Sequence, residues 1–230
     1  MRVATGCRGI DRLLDGGLPE NRLYVISGPP GSGKTTFASQ FITEGARDGE
    51  TSLYLTMHET REELVQDMAT FDFGFEKAIT SNHARFLNLT SEKARMSLTK
   101  YGTEGGLTNR VAAMIDEMDV ERAVIDSTML LTHFVEDPEN ALTEFATRLK
   151  QTDATILLVS EMTDPSAYSA EHFLAHGVIF FHNFMEASGM TRAVQVIKMR
   201  GTDIDCDMHA ASFSSGGLAV HPDEKVDQLS

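Results

Sequence analysis

Residues 28–36, GPPGSGKTT, satisfy the spacing G-x-x-x-x-G-K-[ST]. Gly28, Gly31 and Gly33 let backbone N–H groups converge on phosphate oxygens with no Cβ in the way. Lys34 is spaced to reach β- and γ-phosphates, and the Thr35 hydroxyl to ligate Mg²⁺, with Ser32 and Thr36 completing the loop. A helix starting near Lys34 adds its positive N-terminal end. A chance Gly-rich turn would lack the apolar run before the loop and the helix-like run after it; both are here. RAVIDS, residues 122–127, is an apolar run ending in Asp126, a carboxylate suited to holding Mg²⁺ through its water shell or, in the plainer reading, to capping the next segment. YLTMHET, residues 54–60, ends in His58 and Glu59, where a carboxylate can meet a water beside a phosphate. Neutral imidazole also accepts a proton, with an unperturbed pKa of about 6.5. Successive strand residues face opposite ways, so Glu59 joins His58 on one side only if the strand has already turned. ATILLVSE, residues 154–161, offers Ser160 or Glu161 to sense a γ-phosphate or orient a water. In KMRGT, residues 198–202, Lys198 and Arg200 alternate about Met199, so both cations face one side.

The elements that must position these residues are readable from short apolar runs bounded by turn residues. Residues 22–27, 51–57, 84–89, 122–126 and 154–160 read as buried strands, and 34–47, 61–70, 107–119 and 139–151 as helices between them. That alternation implies a mostly parallel central sheet flanked by helices, with ligands gathering at the C-terminal ends of the strands. From Val178 onward VIFF, RAVQVIKM, HAASF and LAVH are joined by short polar turns such as SSGG at 214–217, which predicts a C-terminal antiparallel extension. One domain is expected over residues 1–221, with a polar tail over 222–230 that frays.

Composition narrows the partners. The chain has 230 residues, with 34 acidic against 20 basic and a net charge of −14. An acidic surface repels polyphosphate backbones and disfavours nucleic acid; it is compatible with a high-salt cytoplasm. The two cysteines, Cys7 and Cys206, are far apart and suggest neither a metal site nor a disulfide framework, so a reducing, cytoplasmic setting is the simplest expectation. No apolar run reaches membrane-spanning length, and no signal-peptide pattern opens the chain.

Several motifs in order carry a resemblance. GCRGIDRLLDGGLP at 6–19, GPPGSGKTT, the YLTMHET strand, AVIDS and KMRGT together resemble the KaiC-like branch of the RecA superfamily, in an archaeal, halophilic type. The resemblance implies a RecA-type P-loop ATPase fold, ATP and Mg²⁺ as ligands, and a homo-oligomeric ring, usually a hexamer, with ATP sites between subunits. It implies that Lys198 and Arg200 reach a neighbour's γ-phosphate, with Thr202 near the nucleotide. In that family the strand after the P-loop helix ends in two glutamates; here the pair is His58 and Glu59, which predicts slow hydrolysis. The second domain of the circadian-clock KaiC proteins carries adjacent Ser and Thr autophosphorylation sites where this chain has His172 and Phe173. Ser166, Tyr168 and Ser169 lie nearby, and timekeeping is not implied.

Two other functions compete. A nucleotide-gated interaction protein would bind ATP, scarcely turn it over, and present a ring to a regulatory protein partner. A recombination-mediator relative would need basic or aromatic residues in the loop after Asp126, and STMLLTHFVEDPEN has His133 and Phe134 but no Lys or Arg. His172 and His176, spaced i and i+4, and His182 are weak metal candidates that lack an H-E-x-x-H pattern.

Overall fold

The structure is a computed structural model, and it describes residues 1–90, 96, 106–128, 137–164, 166–186 and 189–227. Strands β3 (Leu23–Gly28), β4 (Ser52–Thr56), β5 (Ala84–Asn88), β6 (Arg122–Asp126), β7 (Thr155–Glu161), β8 (Gly177–Glu186), β9 (Gly189–Met199), β10 (Met208–Ser214) and β11 (Gly217–Lys225) form one nine-stranded sheet in the order β11-β10-β9-β8-β3-β7-β6-β4-β5. The neighbours from β8 through β5 pair in parallel, while β8 to β11 run antiparallel to one another. This is the mostly parallel sheet with an antiparallel extension that the strand pattern predicts.

Parallel strands are buried on both faces because crossover helices cover each side. Alternation divides the strand residues between two cores. Tyr24, Ile26, Tyr54, Val124, Leu157 and Val159 pack with Phe37 and Phe41 of α2 (Lys34–Asp48), Leu64 of α3 (Arg61–Met68) and Phe75 of α4 (Phe75–Ile79). Leu23, Val25, Leu53, Leu55, Ala123, Ile125, Ile156 and Leu158 face the other way, onto Val111 and Ile115 of α5 (Gly106–Glu117) and Phe145 and Leu149 of α6 (Pro138–Leu149).

Short elements escape the sequence pattern: α1 (Arg8–Leu13), α4, α7 (Ala170–Leu174) and the paired two-residue strands β1 (Arg2–Val3) and β2 (Leu18–Pro19). None is long enough to display a period. Gly17 explains the GG of the opening motif. It adopts φ +117°, and a Cβ there would lie 2.3 Å from the Val3 carbonyl oxygen.

The expected frayed tail is corrected through Lys225. β11 continues past Pro222, Arg12 pairs with Asp223 at 2.8 Å, and Lys225 pairs with Asp205 at 2.9 Å. As an edge strand, β11 tolerates the missing N–H of Pro222.

Candidate nucleotide site

The C-terminal ends of β3, β4, β6 and β7 meet at one pocket of about 510 Å³. Gly31, Gly33, Lys34, Thr35, Thr36, His58, Glu59 and Asp126 all line it. The loop after β3 turns through positive φ at Gly28, Gly31 and Gly33, and no side chain caps α2. The first amides of α2 therefore remain available to an anion. Lys34 Nζ donates to the carbonyls of Gly28 and Pro29 at 2.8 and 2.9 Å, which folds its ammonium back over the loop. Ser32 Oγ is buried with no hydrogen-bond partner.

Asp126 ends β6 and is buried. Its Oδ2 accepts from the Thr35 hydroxyl at 3.3 Å and from the Tyr54 hydroxyl at 3.1 Å. Two hard oxygen donors this close suit Mg²⁺, and the orphan Ser32 hydroxyl and uncapped amides suit a phosphate group, so the residues present fit both expected ligands. Burial pushes the Asp126 carboxyl up, against the hydrogen bond from Tyr54 and the nearby charges of His58 and Lys34. Burial pulls the Lys34 ammonium down, opposed by Glu161 and Asp126.

The question of which way His58 and Glu59 face is decided by where β4 stops. The strand ends at Thr56, so alternation no longer applies, and both residues line the pocket. His58 Nε2 lies 3.0 Å from Ser127 Oγ, and its backbone N–H donates to Thr56 Oγ1 at 3.1 Å. Burial, then the Asp126 charge, raises the Glu59 carboxyl. At the end of β7 it is Glu161 that faces the pocket. Ser160 turns away and donates to Glu171 at 3.2 Å.

Lys198, Arg200 and Thr202 do not join this pocket. Lys198 Nζ donates to the carbonyls of His172 and Phe173 at 3.0 Å each, and Arg200 Nη2 donates to that of Phe173 at 3.0 Å. The two cations thus meet at the Phe173 carbonyl, although β9 ends at Met199 and strand alternation does not extend to Arg200. Thr202 Oγ1 accepts from Arg2 at 3.2 Å. The three histidines have separate partners. His172 bonds Ser27 Oγ at 2.7 Å, His176 packs edge-on to Tyr24, and His182 bonds Gln195 at 3.0 Å. Among the described residues no group of three or more His, Cys, Asp or Glu could hold a metal. His133 and Phe134 lie outside the described residues.

Tyr54, Arg192 and Phe213 are among the participants that sequence reasoning missed. Tyr54 had a usable signal, because alternation puts it on the side of Thr56. Arg192 and Phe213 had none; they come from β9 and β10 and reach the pocket through sheet order alone.

Comparison with known proteins agrees with this geometry. The family described as "ATPase: KaiC" matches residues 3–225. The circadian clock oscillator protein KaiC of Parathermosynechococcus lividus is 25% identical over 228 residues, covering 95% of this chain and 42% of that protein. The chain therefore spans about two fifths of the length of the curated KaiC proteins it matches. A UPF0273 protein of Thermotoga maritima is 29% identical over 236 residues, covering 97% of each chain. A crystal structure of a KaiC-like protein from Pyrococcus horikoshii OT3 superposes with a TM-score of 0.81 at 28% identity, covering 96% of this chain and 99% of that one. The phosphate-binding loop, the RecA-type sheet and the match along nearly the whole length place the chain in the KaiC-like ATPase family.

Proposed function

We propose that the protein binds Mg-ATP in the pocket at the ends of β3, β4, β6 and β7 and hydrolyses it slowly, as a homo-oligomeric ring. The observation that carries this reading is the convergence of Lys34, Thr35, Asp126, His58 and Glu59 on one pocket. The loop amides and Lys34 hold the β- and γ-phosphates, and Thr35 and Asp126 supply the oxygens for Mg²⁺. Bound there, Mg²⁺ would neutralise charge on the phosphate oxygens. Glu59, with its carboxyl raised by burial and by Asp126, accepts the proton of the attacking water. His58, tied to Ser127, lines the same approach.

Lys198 and Arg200 lie outside their own chain's pocket, which supports their acting on a neighbouring copy's γ-phosphate, with a hexamer the expected ring. Thr202 is proposed to approach that same nucleotide. A guanidinium suits the role because its planar fork pairs with phosphate oxygens.

Lys34→Ala tests the assignment. It removes charge and donors from the phosphates, and ATP affinity measured by calorimetry is expected to fall at least tenfold. Unchanged affinity would sink the site. A second reading, a nucleotide-gated interaction protein with little turnover, draws support from His58 standing where a second carboxylate would orient water. Phosphate release from the assembled wild type separates the two.

A further inference from the structure

A buried polar cluster stands behind the pocket and lines no part of it. Ser27 on β3 and Ser160 on β7 are register partners, one residue before Gly28 and Glu161. Both hydroxyls meet α7. His172 Nε2 lies 2.7 Å from Ser27 Oγ, and Ser160 Oγ donates to Glu171 Oε1 at 3.2 Å. The backbone N–H of Ser169 donates to His172 Nδ1 at 3.2 Å, so Nδ1 is the acceptor and Nε2 carries the proton toward Ser27. Burial pulls the imidazole below its ordinary value, against the Glu171 charge, which keeps the ring neutral. Ser27, Ser160, Glu171 and His172 are all buried. Glu171 Oε2 has no partner among the described residues, a cost that an apolar anchor would avoid. The carbonyl end of the same helix holds the two cations: Lys198 on the His172 and Phe173 carbonyls, Arg200 on that of Phe173.

We propose that His172 and Glu171 are positioning residues, which tie α7 to β3 and β7 and so set where Lys198 and Arg200 meet a neighbouring copy's nucleotide. The inference rests on the action in trans proposed above and deepens it. With five residues, α7 is too short to hold itself; isolated helices below about 12 residues are marginal. Leu174 and Ala175 pack with the core that includes Phe145 and Leu149 of α6. Apolar packing is non-directional, so the hydrogen bonds from β3 and β7 are what fix the direction of the carbonyl end. A shift of about 1 Å in a group aimed at a reacting phosphate can cost about 100-fold in rate. Such a loss belongs to the transition state, so it falls on kcat and spares KM.

The test uses rings of two chain types. The reference ring co-assembles Lys34→Ala chains, which keep the cations, with Lys198→Ala, Arg200→Ala chains, which keep the pocket. His172→Leu is added to one chain type at a time, and steady-state phosphate release gives kcat and KM for ATP. On the cation donor it is expected to lower kcat by about tenfold with KM within about threefold. On the pocket donor both constants should match the reference ring. Ser27→Ala removes only the hydroxyl that His172 holds. It should show the same asymmetry at about threefold, and it carries the test where His172→Leu does not fold. A loss on both chain types alike marks a role in general stability and overturns the inference. A loss on the pocket donor alone, or on neither, overturns it too. Verified mixed reference rings that recover no activity overturn the action in trans itself, and this inference with it.

Discussion

Glu59 and His58 sit side by side at the approach to the pocket, but their chemistry differs. Burial and the Asp126 charge raise the Glu59 carboxyl, which makes it a better proton acceptor than an ordinary surface glutamate, while the His58 ring is held by Ser127. Glu59→Gln is expected to lower phosphate release by about 100-fold with ATP affinity within threefold, because general-base help belongs to the transition state. His58→Ala should cost less than tenfold, and His58→Glu should raise turnover by restoring a second carboxylate. Steady-state phosphate release and calorimetry check all three; a dead His58→Ala beside an active Glu59→Gln reverses the roles. Asp126 carries a stability cost. Its carboxyl is raised in the folded state, so its charge is disfavoured there, and its contribution to stability is present at low pH and lost as pH rises through the raised value. Asp126→Asn keeps the neutral acceptor for Tyr54 and Thr35. At pH 7, without nucleotide or Mg²⁺, it should melt above wild type. The gap should close on acidification through the carboxylate range, and Mg²⁺-dependent ATP binding should be lost. A lower melting temperature at pH 7 would refute the sign.

At the scale of elements, the site depends on how the β6 strand is held at its far end. Arg122 starts β6 and is fully buried. It pairs with Glu50 just past α2, donates to the Ala4 and Phe41 carbonyls at 2.6 and 3.3 Å, and lies 4.9 Å from the Phe41 ring. One guanidinium thus joins β6, α2 and the N-terminal segment, three parts that bring Asp126, the phosphate-binding loop and the opening motif into register. Arg122→Met leaves Glu50 without its buried partner and frees two carbonyls. It should cost about 3 kcal/mol and lower the melting temperature by roughly 5–10 °C. A change under 1 °C would show the network to be dispensable. At the pocket end, β4 stops at Thr56 just before His58 and Glu59, and the capping box of Thr60 with Glu63 starts α3 at once. That tight strand-to-helix change is what turns both side chains inward.

For the whole molecule, the proposed action of Lys198 and Arg200 on a neighbouring copy would make each site depend on two chains. Mixing is the sharpest test. A Lys34→Ala chain has a disabled pocket but intact cations, and a Lys198→Ala, Arg200→Ala chain has the reverse. Each alone should be inactive. Co-assembled at equal amounts, they should recover activity at about a quarter of the interfaces. No recovery in verified mixed rings would rule out action in trans. The described residues include no helix long and apolar enough to cross a membrane.

The sequence by itself determined the phosphate-binding loop, the strand ending in Asp126, and the parallel body with its antiparallel extension, because each rests on local spacing: glycines where φ is positive, apolar residues at period two, turn residues between them. The expectation that Lys198 and Arg200 share a strand face did not survive, because β9 ends at Met199 and Arg200 falls in the turn beyond it. Tertiary structure alone decided the rest. Whether Glu59 faces the site depended on where β4 stops, a matter of one or two residues that hydrophobic pattern does not resolve. The continuation of β11 through Lys225 depended on partners in β10 and α1, invisible to a polar tail read in isolation. Arg192 and Phe213 reach the loop because β8 to β11 are laid beside β3, a contact across more than 150 residues of chain between Arg192 and Gly31 that no local signal encodes.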